Sequence, residues 1–388
     1  MRSRPSLTDR IVVISDLVEQ QSSFPETNGV FDAVFADPEN RSSCAVEGGY
    51  LERLPLASVR AGLASAAEIW HHHRGDEIRS VRETPFLTRR AFPIASETAP
   101  FHSDAMLDFV SQHGAPRILC VWGLGVSEAL LQACSASTII YNSIDVPALR
   151  VPPEVSRHFD LVLTGAPWQS EEVQKRHPQM QTAVLPVGPE FASAETFFPL
   201  SEEEKRYDVV YVAAAQAYKR HDILFSALRR ASRPITALCV MGYGEDGEHL
   251  RQQAASMGLA VDFVGPPGVP HSEVNRLMNQ ARVGVVCGEN DGAPAILTEY
   301  MLAGLPVVAN AALRCGLQYV LPQTGLVVAA DRFDEGILEA LSRNDWSPRQ
   351  TVVDRWCWPL SVARLAELTS TDFPLQRGAR AKPELVDG

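Results

Sequence analysis

The chain has 388 residues, 45% of them hydrophobic and 21% charged, and its 35 basic against 47 acidic residues give a net charge of −12. That length exceeds one ordinary core and implies two domains of about 200 residues each. The acidity excludes a phosphate-tracking nucleic-acid binder and is a poor match for an anionic membrane surface.

The N-terminus, MRSRPSLTDRIVVISDL, has only IVVI as its apolar part before Asp16, so it reads as a first β-strand and not as a signal peptide. No uncharged apolar run reaches the length of a membrane-spanning helix. Seven cysteines (44, 120, 134, 239, 287, 315 and 357) form no CxxC pair, and several lie in strand-like runs such as ILCVW and ALCVM. Reduced, buried thiols and a cytoplasmic location are expected.

Strand and helix signals alternate along the whole chain, the pattern of an α/β architecture with parallel sheets. IVVISDL, RILCVWGL, STIIYNSID and FDLVLTGA read as strands, and LASVRAGLASAAEIWHHH, SDAMLDFVSQHG and VSEALLQACS as helices. Residues 24–58 read as long loops, and GPEFASAETFFPLSEEEKRYD reads as an interdomain linker. The alternation then restarts with DVVYVAAA, DILFSALRRAS, ITALCVMG, EHLRQQAASMG, VDFVG, SEVNRLMNQA and VGVVCG. PVVAN, a short helix near Gln318, GLVVAA, FDEGILEALSR and PLSVARLAELTS complete it. The expected domains are residues 1–195 and 196–355, each Rossmann-like, followed by a crossover helix at 356–371 and a disordered tail at 372–388. Residues 1–195 hold 16 basic and 24 acidic residues, and the remainder 19 and 23, so the first domain is the more acidic.

The most informative stretch is ENDGAPAILTEYMLAGLPVVAN, residues 289–310. Pro294 suits the first position of a helix, whose free N–H groups and positive dipole end would face the preceding loop. In one continuous helix Asp291 and Glu299 would stand about 12 Å apart. With Asp291 in the loop and Glu299 one and a half turns in, both can face one elongated ligand. Hydroxyls at both ends and negative charge in the middle describe a nucleoside diphosphate sugar. The bland alternative is a solvated loop aspartate and a salt-bridged helix glutamate.

DGAPAILTEYMLAGLPVV resembles the E-G-x-P-x-V-x-x-E-A-M-A-x-G-x-P-V-V signature of retaining GT-B glycosyltransferases of the family 4 type. LVLTGAPWQSEEVQKRHPQMQTAVLPVGPEF is similar to the segment that ends that family's first domain, and KRHDILFSAL to the K-G-x-D-x-L-L-x-A start of its second. MGYGEDGEHL and VDFVG resemble V-G-D-G-P…L and V-x-F-x-G. The similarity extends from about residue 139 to 371 and is poor before residue 110. It implies two Rossmann-like domains facing a cleft, with the C-terminal helix crossing back to the N-terminal domain. The first domain would take the acceptor and the second the nucleotide sugar. Asp291 would hold a donor-sugar hydroxyl and Glu299 the ribose hydroxyls. Backbone N–H groups around Ala293 and Ala295, in the loop with Gly292 and Pro294, would face the phosphates, and Gly265 would join the donor site. Lys219 falls at the family's diphosphate-binding lysine. Asp291, Lys219 and Asn142 are the candidate catalytic residues.

The chain departs from the family pattern at several points. The first acid is Asp and not Glu, and the arginine expected five residues before the lysine falls at Ala214. Arg220 or Gln216 are the candidates to compensate. Asn142 stands where the family has a histidine; it can hydrogen-bond a sugar or phosphate oxygen, or simply be a turn residue after a strand. No Gly-Gly loop of the family's kind is evident near the N-terminus. GYGEDG at 242–247 matches a dinucleotide fingerprint on paper, but Glu245 and Asp246 would repel a pyrophosphate there. His71, His72 and His73 read as a solvated helix face and not as a metal site. No Asp-x-Asp is present, so no metal is expected and the nucleotide sugar is the co-substrate.

The expected activity is transfer of a glycosyl group from a nucleotide sugar to a hydroxyl, with retention implied by the resemblance. A soluble small-molecule or saccharide acceptor is expected from the acidic first domain. The rival readings are a GT-B nucleotide-sugar epimerase and a non-catalytic GT-B partner subunit. Nucleotide base, sugar, acceptor and oligomeric state stay open.

Overall fold

The structure is a computed structural model that describes residues 7–19 and 38–370. The loops expected at 24–37 and the tail from Asp372 lie outside the described residues. Two sheets emerge from the alternation. The first is built from β1 (Leu7–Glu19), β2 (Ala66–His73), β3 (Arg79–Arg82), β4 (Leu87–Pro93), β5 (Ala115–Trp122), β6 (Thr138–Asn142), β7 (Leu161–Thr164) and β8 (Gln181–Val184). Its order is β3-β4-β2-β1-β5-β6-β7-β8, parallel throughout except for the antiparallel β3–β4 edge.

The second sheet holds β9 (Tyr207–Val212), β10 (Ala237–Val240), β11 (Val261–Val264), β12 (Ala281–Val286), β13 (Val307–Asn310) and β14 (Gly325–Val328). Its order is β11-β10-β9-β12-β13-β14 and every pairing is parallel. Strand order reverses between β1 and β5 in one sheet and between β9 and β12 in the other. Beyond the carboxyl ends of the strands, such a reversal opens a crevice where ligands of α/β proteins bind.

Parallel sheets are covered on both faces, which is why their strands read as near-continuous apolar runs. Ile11, Val13, Cys120 and Ile140 pack under one face of the first sheet, and Val12, Ile14, Val121 and Tyr141 under the other. The helix Trp358–Thr369 inserts Val362 and Leu365 into the first of these cores, beside the helix Arg53–Arg60, so the C-terminus does cross back. All seven cysteines are buried and unpaired. Among the described residues no helix is long and apolar enough to cross a membrane.

Two expectations change. The run at 56–73 is not one helix: the helix Arg53–Arg60 ends before Gly62, which has φ +80°, and β2 follows. The three histidines therefore lie in a central strand, and His71, His72 and His73 are buried. Their neighbours Ala67, Ile69 and Trp70 are buried too, and a strand packed on both faces carries no alternation to set it apart from a helix. The hairpin β3–β4 and the helix Pro348–Arg355 gave no distinct sequence signal. The acid-rich segment expected as a linker does join β8 to β9, and it is packed. Phe191 and Phe197 are fully buried, and the Arg349 guanidinium donates to the carbonyls of Ala194, Phe197 and Leu302.

Candidate active site

Lys219 follows β9 and Asp291 follows β12, so the reversal of strand order in the second sheet brings them to one crevice. Lys219 closes the 3-10 turn Ala217–Lys219, and its Nζ is ion-paired with Asp291 Oδ2. The other carboxylate oxygen of Asp291 accepts from Ala293 N at 3.3 Å, which folds the 291–293 loop back on the aspartate. Burial alone would lower the Lys219 pKa, but Asp291, helped by Tyr50, outweighs it and holds the ammonium above the ordinary lysine range. A charged lysine and a carboxylate are thus fixed at the mouth of the loop.

Arg220 has φ +54° and ψ +48°, the sole positive φ among the described non-glycine residues. It stands where the K-G-x-D pattern has glycine, the residue that adopts this conformation without steric penalty. Its guanidinium is bonded to both oxygens of Asp222 at 2.9 Å and is ion-paired with Glu289. Arg220 is therefore engaged by two carboxylates, and it ties the lysine turn to the 289–291 loop.

The helix after the loop runs from Ile296 to Leu302, with Ala295 as its N-cap residue. Pro294 thus precedes the helix and does not open it, and Glu299 lies in its first turn, closer to the loop than the sequence pattern suggested. A contact from the first domain accompanies this start. Tyr50 OH donates to Ala293 O at 2.5 Å and accepts from Ala295 N at 3.2 Å, taking the carbonyl and N–H on either side of Pro294. Burial, with Asp291 adding to it, pushes the Tyr50 phenol well above its usual range, so it stays a donor.

Glu299 is ion-paired with Arg53, and both are buried. Arg53 also donates from Nε to Gly48 O at 2.8 Å and from Nη1 to Gly188 O at 3.2 Å. Gly292 is pressed against Ile144 and Asp145 beyond β6, and against Gly165 beyond β7; a Cβ on Gly165 or Gly292 would overlap backbone across that contact. Gln318 Nε2 donates to Gly165 O at 2.8 Å and reinforces it.

Asp291, Lys219, Gly292, Ala293, Pro294, Ala295 and Glu299 accordingly form one cluster at the domain interface. Asn142 ends β6, three residues before the Asp145 backbone that meets Gly292, and is buried. Gly265 follows β11, the outer strand separated from β9 by β10, with φ +72° and its carbonyl bonded by Arg251, so it stands apart from the Asp291–Lys219 cluster. Tyr50 and Arg53 are site residues that the sequence pattern did not single out. A signal existed: Gly48–Gly49 directly precedes the apolar-periodic run LERLPLASVR, so a Gly-Gly loop does stand ahead of the first crossover helix. The intervening 28 residues from 20 to 47 hid it.

Residues 193–350 match the family model of glycosyl transferases group 1. No curated protein sequence matches the chain. Among solved structures, sucrose-phosphate synthase from Thermosynechococcus elongatus superposes with a TM-score of 0.64 at 17% identity, over 93% of this chain and 98% of that one. The lipopolysaccharide outer core galactosyltransferase WaaB gives 0.62 at 15% identity, over 92% and 98%. HepE of Anabaena, in complex with UDP and glucose, gives 0.63 at 13%, over 93% and 99%. At these identities the likeness is one of fold. The chain has a GT-B fold of two facing Rossmann-like sheets, and its residues 193–350 are similar to glycosyl transferases group 1.

Proposed function

We propose that the chain is a retaining glycosyltransferase of the family 4 type that moves a hexosyl or pentosyl group from a nucleotide sugar to a hydroxyl of a soluble acceptor. The observation that carries this reading is the Lys219–Asp291 pair, set at the strand-order reversal of the second sheet beside the Ala293–Ala295 backbone and Glu299. Breaking a glycosidic bond to a nucleotide develops negative charge on the departing diphosphate, and preorganised donors aimed at that charge are the main catalytic device. Lys219 supplies the charge and the loop amides supply the fixed dipoles. Asp291 orients the lysine and is in place to accept a hydroxyl of the transferred sugar. Glu299 would accept the ribose hydroxyls once Arg53 yields.

A uridine nucleotide is the first donor to test, since HepE of Anabaena is held in complex with UDP and glucose. The first domain would receive the acceptor, and no metal is required in this scheme because the cation is Lys219. Calorimetric titration with UDP, followed by an assay for slow hydrolysis of UDP-glucose and other UDP-sugars, tests the reading. Binding of a nucleoside diphosphate that Lys219→Met weakens, with donor hydrolysis, supports it. Absence of binding to every common nucleoside diphosphate would overturn it.

A further inference from the structure

The crevice end of the first sheet carries polar atoms that the fold leaves unmatched. Trp122 ends β5 and Asn142 ends β6, and the two are direct partners in the parallel register. They lie on the face that also carries Cys120 and Ile140. The Trp122 indole Nε1–H and the Asn142 Oδ1 are both buried and have no hydrogen-bond partner among the described residues. Native interiors leave few such groups, because an unmatched buried donor or acceptor has lost its water without compensation.

Ser15, near the end of β1 and buried, adds a hydroxyl whose oxygen is engaged while its own proton is left over. His71 Nε2 faces the Arg89 guanidinium at 2.7 Å, and that group can only donate, so the ring proton sits on Nδ1. Nδ1 then donates to Ser15 Oγ at 3.2 Å, and Leu17 N donates to the same oxygen at 3.3 Å. The hydroxyl accepts twice, and its own proton has no acceptor among the described residues. β1, β5 and β6 are adjacent strands, and β1 and β5 flank the reversal of strand order. Here too the fold opens a crevice.

We propose that Ser15, Trp122 and Asn142 form a recognition subsite for neighbouring hydroxyls of a polyhydroxylated ring. The chemistry selects that class. A carboxylate or phosphate would satisfy the two donors and, with the Asn142 amide oriented as it stands, leave its carbonyl oxygen without a donor. An ammonium would satisfy that oxygen and leave both donors bare. A hydroxyl alone does both, accepting from Trp122 Nε1–H while donating to Asn142 Oδ1, and a second hydroxyl accepts from Ser15. The position fits an acceptor: Ile144 and Asp145, just beyond Asn142, pack on Gly292 of the 291–295 loop. The word acceptor rests on the glycosyltransferase reading; the hydroxyl recognition does not.

Full-length protein labelled with ¹⁵N at its six indoles, with Trp122→Phe to assign the Trp122 signal, is titrated with methyl α-D-glucopyranoside, methyl α-D-galactopyranoside and myo-inositol. The Trp122 Nε1–H signal is expected to move with at least one of these rings and not with acetate. Asn142→Leu should weaken that sugar roughly three- to tenfold, the loss of one neutral hydrogen bond. Should Asn142→Leu not fold, Ser15→Ala gives the same test. A Trp122 signal that none of the rings moves, meaning that a resident water already completes the pair, overturns the proposal, as does an unchanged affinity in both variants. Nucleoside diphosphates added to the same samples separate the two readings. Nucleoside diphosphate binding with a silent Trp122 signal sinks the subsite alone, and a sugar-responsive signal without binding of any common nucleoside diphosphate sinks the glycosyltransferase reading alone.

Discussion

Arg53, on the first crossover helix, is ion-paired with Glu299, on the helix that follows the 291–295 loop of the other domain. Both side chains are nearly closed off from solvent, so the pair is a buried charge bridge across the domain interface. Removing one partner of a buried pair leaves the other charged and uncompensated, which typically costs about 3–5 kcal/mol. Arg53→Met is expected to destabilise the chain by that order, read as a lowered urea midpoint. The double variant Arg53→Met/Glu299→Gln should recover much of the loss. If the two substitutions are simply additive, the bridge contributes nothing as a pair. The bridge also alters what Glu299→Gln would report: weakened nucleotide binding would come with a stability loss, because Arg53 would be left without its carboxylate.

Tyr50 occupies backbone groups that the donor phosphates are proposed to meet. Its hydroxyl holds Ala295 N–H and Ala293 O together, so a phosphate oxygen reaching Ala295 N must first displace the phenol. Tyr50→Phe removes that competitor while keeping the ring. Nucleoside diphosphate affinity is expected to rise about fivefold, the equivalent of one net hydrogen bond of about 1 kcal/mol. Calorimetry on the two proteins decides it. Weaker binding in the variant would instead make Tyr50 a contact of the nucleotide.

The second half was readable because its strands are short β-branched runs and its helices carry regular apolar spacing. The site motif was readable because Asp291, Pro294 and Glu299 lie within nine consecutive residues. What could not be read came from contacts made at long sequence distance. Nothing near Glu299 announces that Arg53, 246 positions away, will neutralise it. Likewise Pro294 looked like the start of a helix because local propensity favours it there, and Tyr50 from the other domain accompanies a later start. The histidine run failed for a different reason. Its strand is buried on both faces, polar residues included, and length alone could not separate it from the helix before it.

Lys219 is the cation of the proposed scheme, and activity should not depend on a divalent metal. Lys219→Met is expected to lower kcat about 100-fold or more, in line with loss of one preorganised stabiliser of developing charge. Turnover of a UDP-sugar should persist in EDTA. Activity lost in EDTA and restored by Mg²⁺ or Mn²⁺ would place the leaving-group charge on a metal and demote Lys219 to a structural partner of Asp291.

Glu190 links three segments of the chain and should make stability depend on pH. It ends the short helix Val187–Glu190 and is buried. Tyr319 OH of the second domain donates to Oε1 at 3.1 Å, and Ser361 Oγ of the C-terminal crossing helix donates to Oε2 at 2.7 Å. Burial pushes its pKa up from 4.5 to about 7, and the two hydroxyls, with Arg364, offset only part of that. The folded chain therefore holds a proton that the unfolded chain releases between pH 4.5 and about 7. Stability from this group falls as pH rises through that window, because the folded state binds more protons there. Above it the penalty is on the order of 3 kcal/mol, from 1.36 kcal/mol per pKa unit. Glu190→Gln keeps the shape, and both hydroxyls can turn to serve an amide, so the variant should be more stable than the parent at pH 8 and close to it at pH 5. Urea denaturation at the two pH values measures the difference. A gap of the same size at both would mean that Glu190 already carries its charge in the folded protein at pH 5, and that the hydroxyls outweigh burial.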